Sequence, residues 1–116
     1  MRCISLRLSA AVAIVALAAL ADPTFGATRT DVLTGTDGPG FTITMNKTTV
    51  KAGTYTITIH DRSNIHDFHL TGPGVDKKTS VQAVGTTKWT VKLKKGTYRF
   101  MCDPHRAIMH GVLKVT

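Results

Sequence analysis

From Phe41 to the C-terminus the chain alternates apolar and polar side chains with a period of two. In FTITM (41–45), Phe41, Ile43 and Met45 fall on one face. In TYTITIH (54–60), Tyr55, Ile57 and Ile59 share a face, and Thr54, Thr56, Thr58 and His60 take the other. KWTVKLK (88–94) repeats the pattern with Trp89, Val91 and Leu93, and TYRFMC (97–102) aligns Tyr98, Phe100 and Cys102. GVLKVT (111–116) closes the chain with another β-rich run. Such alternation predicts strands with one buried face, and β-branched and aromatic residues dominate the runs. Turn residues separate them: KAG at 51–53, DRSN at 61–64, GPG at 72–74 and KKG at 94–96. Short strands at this spacing predict an all-β fold, a Greek-key β-sandwich, over residues 39–116. The sequence has no amphipathic helical pattern and no internal repeat. Residues 75–87 are the least regular stretch, expected as a loop or short crossing strand. Residues 22–38, rich in Thr, Asp and Gly, read as an N-terminal tail or irregular edge strand.

The first residues follow a different rule. Arg2 and Arg7 flank the start of LSAAVAIVALAALA (8–21), an apolar run of 14 residues. That length suits the core of a signal peptide and is short for a membrane span. Ala19-Leu20-Ala21 places small residues where a signal peptidase reads. Residues 1–21 are therefore expected to be a signal peptide, with a mature chain from Asp22. That chain would be periplasmic or secreted, without stable membrane insertion; the alternative is an uncleaved N-terminal anchor. Losing Arg2 and Arg7 lowers the net charge from +8 to +6. The remaining basic residues, among them Lys77, Lys78, Lys88, Lys92, Lys94 and Lys95, give a solvated surface or one that attracts an acidic partner or an anionic envelope. No dense basic tract with interleaved aromatics is present, which argues against nucleic-acid binding.

Losing residues 1–21 also removes Cys3 and leaves Cys102 as the one thiol. Small exported domains use paired cysteines as staples, and a lone thiol in an oxidising compartment is open to oxidation. Cys102 is thus expected to be buried or held by something. Parity puts its thiol on the inward face with Tyr98 and Phe100. Pro104 then ends the strand, and His105 and Met109 follow on the loop. In SNIHDFHL (63–70), His66 alternates with Phe68 and Leu70 on the apolar face, while His69 points outward. His66, Cys102, His105 and Met109 make up the donor set of a blue-copper site: two imidazoles and a thiolate in a plane, with a weak axial thioether. Sulfur favours Cu(I) and imidazole binds both oxidation states. Met101 has the wrong parity, His60 and His69 point outward, and His110 is the substitute should Met109 not serve. Two other chemistries remain open at this level. A tetrahedral zinc site would use Cys102, His105, His66 and one more histidine, although structural zinc sites usually bring more cysteines. A Cys–His nucleophile pair would need an orienting group and an oxyanion feature, neither of which is recognisable.

YRFMCDPHRAIMHGVLKV (98–115) resembles the C-terminal copper loop of small cupredoxins, the plastocyanin and amicyanin group. IHDFHL (65–70) resembles the same family's first-histidine segment, and VKAGTYTITI and LKKGTYRFMC resemble its Gly-Thr-Tyr strand starts. The resemblance covers about residues 39–116. It implies one copper ion, Cu(I) or Cu(II), with His66, Cys102 and His105 as strong ligands and Met109 as the axial one. It also implies electron exchange near the His105 ring edge and redox-protein partners rather than enzymatic turnover. Two positions depart from the family pattern. Asp67 stands where Asn is usual, and a carboxylate there is expected to favour Cu(II) and lower the reduction potential. The Cys-x2-His-x3-Met spacing differs by one residue from two familiar loops, one shorter and one longer. The functional expectation is an exported type 1 copper protein carrying single electrons. The alternatives are a copper delivery or buffering protein and a metal-free β-sandwich interaction module.

Overall fold

The computed structural model describes residues 30–116. The expected signal peptide, 1–21, and residues 22–29 of the expected tail lie outside the described residues. The described chain forms nine strands: β1 (Asp31–Asp37), β2 (Ile43–Met45), β3 (Thr49–Val50), β4 (Gly53–Asp61), β5 (His69–Gly72), β6 (Val75–Lys78), β7 (Gly85–Leu93), β8 (Gly96–Met101) and β9 (His110–Val115). They build a four-stranded sheet ordered β2-β1-β4-β7 and a five-stranded sheet ordered β3-β9-β8-β5-β6. Both sheets are mixed, because β1 runs parallel to β4 and β3 parallel to β9. The architecture is the Greek-key β-sandwich that the alternation predicts. Among the described residues the only helix is one 3₁₀ turn, Asp103–His105.

The inward rows are those read from parity. Tyr55, Ile57 and Ile59 of β4, Val91 and Leu93 of β7, Tyr98 and Phe100 of β8 and Leu113 and Val115 of β9 are all buried. Phe68 stacks on Phe100 with ring centroids 5.7 Å apart and lies 6.4 Å from Trp89. Each such side chain contributes about 1.5–3 kcal/mol on burial. The Tyr98 hydroxyl accepts the Lys94 N–H at 2.9 Å and donates to the Pro73 carbonyl at 3.0 Å, tying two turns to the core.

Three segments depart from the sequence expectation. Within 22–38, read as a tail or irregular edge strand, Asp31–Asp37 is a regular strand lying between β2 and β4. Its inward positions are Leu33, Gly35 and Asp37, so the chain carries only one large apolar residue there to announce a strand. Gly35 is dictated by packing: a Cβ at that position would stand 2.7 Å from the Phe68 ring. Phe41, read as a core residue, is 55% exposed. It precedes β2 in a turn closed by Gly38 N–H to Thr42 O at 2.9 Å, and strand parity does not extend through a turn. The irregular stretch 75–87 resolves into the edge strand β6, a loop, and the start of β7.

For the site, the decisive pairing is β5 with β8, antiparallel, with His69 opposite Met101. The residues just before β5 and just after β8 therefore emerge together at one end of the sandwich.

Candidate metal centre

His66 lies in the loop between β4 and β5, three residues before β5 begins. The loop starts with Asp61 Oδ1 accepting the Ser63 N–H at 3.2 Å and Ser63 Oγ accepting the Ile65 N–H at 3.3 Å. It ends with Phe68 bracketed by Thr79, whose Oγ1 accepts the Phe68 N–H at 2.9 Å and whose N–H donates to the Phe68 carbonyl at 3.0 Å. His66 is consequently held facing inward, fully buried.

Cys102 follows β8 directly and is also fully buried. Pro104 sits in the first turn of the 3₁₀ segment, where its lack of an N–H costs nothing. The His105 N–H donates to the Cys102 carbonyl at 3.1 Å and the Met109 N–H to the His105 carbonyl at 2.8 Å. The Cys102 N–H then donates to the Met109 carbonyl at 3.0 Å, closing the loop on itself. Met109 is fully buried at the foot of this loop, and His105 is partly exposed at its top.

His66, Cys102 and His105 converge. The two Nδ1 atoms are 3.0 Å apart, and Cys102 Sγ lies 3.7 Å from His66 Nδ1 and 3.5 Å from His105 Nδ1. A point equidistant from the corners of that triangle is about 2.0 Å from each, close to the roughly 2.0–2.3 Å of metal–nitrogen and metal–sulfur bonds in such sites. Two imidazole nitrogens and one sulfur around one point match the trigonal His₂Cys arrangement that suits copper. The donor set thus fits one copper ion.

The other two chemistries find no support in the geometry. No third histidine joins the group among the described residues. Both ring nitrogens of His69 are committed, to Asp103 at 2.9 Å and Asp76 at 2.6 Å. His110 Nδ1 donates to the Arg106 carbonyl at 2.7 Å, and His60 meets Thr86 at 3.3 Å. A nucleophilic thiol needs a lowered pKa and access. Burial instead pushes the Cys102 thiol up, and none of its surface is exposed. A bound metal ion reverses this by taking the thiolate as its ligand.

Two carboxylates brace the ligand loop. Asp67, almost wholly buried, accepts the Asp103 N–H at 2.6 Å. Burial raises the Asp67 pKa, and the Asp103 N–H opposes the rise. Asp103 Oδ1 meets His69 and, at 3.2 Å, Arg106 Nη2. Burial alone would raise the Asp103 carboxyl, but His69 and Arg106 help to hold it below its ordinary value.

Phe41 is a feature of the site that parity misassigned. Its ring stands edge-on to both imidazoles, with centroids 5.2 Å from His66 and 5.0 Å from His105. With Ile65 and Ile108, both exposed on the two ligand loops, it gives this end of the molecule an apolar surface. The visible signal was an aromatic residue directly after the GPG turn at 38–40.

The family described as "Cupredoxin-like domain" matches residues 9–115. The chain belongs to this cupredoxin-like family. Solved structures with the same fold include reduced rusticyanin studied by NMR, at 20% identity and a TM-score of 0.55, covering 73% of this chain and 76% of that one. The copper protein rusticyanin gives 20% identity and a TM-score of 0.58 with the same coverage. A Cu(I) amicyanin mutant gives 19% identity and a TM-score of 0.54, covering 73% of this chain and 82% of that one. At these identities the likeness establishes the fold. No curated protein sequence matches the chain.

Proposed function

We propose that the protein is an exported type 1 copper protein that carries single electrons between redox proteins. His66 Nδ1, Cys102 Sγ and His105 Nδ1 serve as the strong ligands, and Met109 as the weak axial one. Copper would supply the one-electron Cu(I)/Cu(II) couple. The protein's part is to hold the donors still, so that little moves when the charge on the metal changes. The observation that carries this reading is the convergence of three donor atoms at coordinating separation while two of their residues are fully buried.

A carrier must keep its metal in both oxidation states, whereas a delivery protein must release it. The closed loop from Cys102 to Met109 and the bracketed Phe68 favour retention. Electrons would pass at the partly exposed His105, inside the apolar rim of Phe41, Ile65 and Ile108. An electron carrier needs no substrate pocket at the metal, and the role is not enzymatic. The signal-peptide pattern of residues 1–21 supports a periplasmic or secreted location.

Adding Cu(II) to the purified protein tests the reading. The expected result is an intense blue colour and reversible one-electron voltammetry, both lost in Cys102→Ala. A colourless product, or copper that passes to a weak chelator on reduction, would count against it.

A further inference from the structure

Three buried side-chain atoms lack a hydrogen-bond partner among the described residues: Oδ1 and Oδ2 of Asp37 and Nε2 of His66. Both residues are fully buried. An unpaired buried polar group is destabilising, and native interiors leave few of them. Here the unpaired atoms are chemically complementary: a ring nitrogen able to donate and two oxygens able to accept.

The packing shows where they stand relative to one another. The inward row of β1 is Leu33, Gly35, Asp37, and the buried row running back out of β5 is Leu70, Phe68, His66. The rows face each other across the sandwich. A Cβ on Gly35 would lie 2.7 Å from the Phe68 ring, and one on Gly38 would lie 3.4 Å from His66 Cδ2, the carbon bonded to Nε2. Asp37 falls between these two contacts. The residue that follows Asp37 thus approaches the Cδ2–Nε2 edge of the His66 ring, away from the Nδ1 atom that faces Cys102.

The proton count of the imidazoles permits such a contact. His66 Nδ1 and His105 Nδ1 are 3.0 Å apart, a hydrogen bond that needs one donor and one acceptor. When His105 donates, the His66 proton resides on Nε2. A metal on Nδ1 requires the same tautomer. Behind Asp37 the polar groups continue. Asp61 is its register partner on β4. Asp61 Oδ2 accepts the Thr79 hydroxyl at 3.4 Å, and Thr79 Oγ1 accepts the Phe68 N–H. Burial first, then the Asp61 carboxyl, push Asp37 up to about 8.

We infer that Asp37 is a positioning residue of the metal centre: its carboxyl takes the Nε2–H of His66 through one bridging water and thereby fixes the tautomer and orientation of that ligand. The effect on the metal rests on the copper-ligand role proposed for His66; the effect on the ring does not. An acceptor on Nε2–H makes the imidazole a better donor and favours Cu(II).

The test compares the wild type with Asp37→Asn, which keeps a carbonyl, and Asp37→Leu, which keeps the bulk alone. In metal-free, ¹⁵N-labelled protein, His66 is expected to carry its proton on Nε2, with slowed exchange. That resonance moves upfield and exchanges faster in Asp37→Leu and stays near wild type in Asp37→Asn. In the copper-loaded proteins the reduction potential rises in Asp37→Leu and stays near wild type in Asp37→Asn. A wild-type His66 protonated on Nδ1 would overturn the inference, as would an Asp37→Leu protein with unchanged Hε2 and potential. Should Asp37→Leu not fold, the wild-type tautomer and the Asn variant decide. Should no copper bind, the proposed function fails while the metal-free spectra still decide this point.

Discussion

At the scale of single residues, Asp67 sets apart charge from geometry. Its carboxylate accepts the Asp103 N–H beside the ligand loop. Asparagine offers an oxygen in the same place without the negative charge. Asp67→Asn should therefore leave the loop intact and destabilise Cu(II) relative to Cu(I). The expected rise in potential is on the order of 60 mV, equivalent to a tenfold change for a one-electron couple. Voltammetry of the two proteins checks it, and an unchanged or lower potential would remove the charge from the account. The donors themselves were legible in the chain because inward parity survives right up to Cys102 and reaches back from Leu70 to His66. Asp37 was not legible: a carboxylate at an inward position reads as a break in the pattern until its surroundings are seen. Phe41 was misassigned because alternation was extended two residues past the start of β2, into a turn. The axial role proposed for Met109 rests on the resemblance and on its burial at the end of the closed loop.

At the scale of elements, His69 joins three pieces of structure. It lies on β5, reaches Asp76 on the neighbouring β6, and reaches Asp103 on the ligand loop. Burial by itself would lower its pKa, but the two carboxylates outweigh burial and raise it above the ordinary 6.5. The histidine's share of stability is thus complete below about 6.5 and fades as pH rises through its higher folded value. Asp103, held below 3.8, contributes above that ordinary value and loses its share as pH falls through the lowered one. The clamp is fullest between these limits. Asp76 is largely exposed, so solvent screens its part, and the whole is worth about 1 kcal/mol. Thermal unfolding should show stability declining above the folded pKa of His69, and His69→Gln should flatten that decline. A slope that survives the substitution would place the titration elsewhere. The outward parity of His69 was read from the sequence. Its partners were not, because Asp76 and Asp103 meet it only through strand pairing. For β1 the difficulty was composition: its inward row is Leu33, Gly35 and Asp37, and packing against Phe68 leaves no room for a side chain at Gly35.

At the scale of the whole molecule, the surface is more cationic than the composition implies. Asp37, Asp61 and Asp67 are buried, whereas none of the described lysines or arginines is. The exposed face is left with few carboxylates to offset a net charge that is +6 even without residues 1–21. Electron exchange with an acidic redox protein should accordingly slow by roughly tenfold or more between low salt and about 0.15 M, where charges are screened beyond about 8 Å. Stopped-flow rates against ionic strength check this; rates indifferent to salt would point to docking through the apolar rim alone. The pairing of His69 with Met101 carries a last consequence. His66 lies three residues before that rung on one side and Cys102 one residue after it on the other. Sliding β5 by a single rung would flip the imidazole to the outside of the sandwich, and sliding it by two would carry the ring nearly 7 Å along, about 3.4 Å per residue. Colour then becomes an assay of assembly: only molecules whose strands have locked in the right alignment can turn blue.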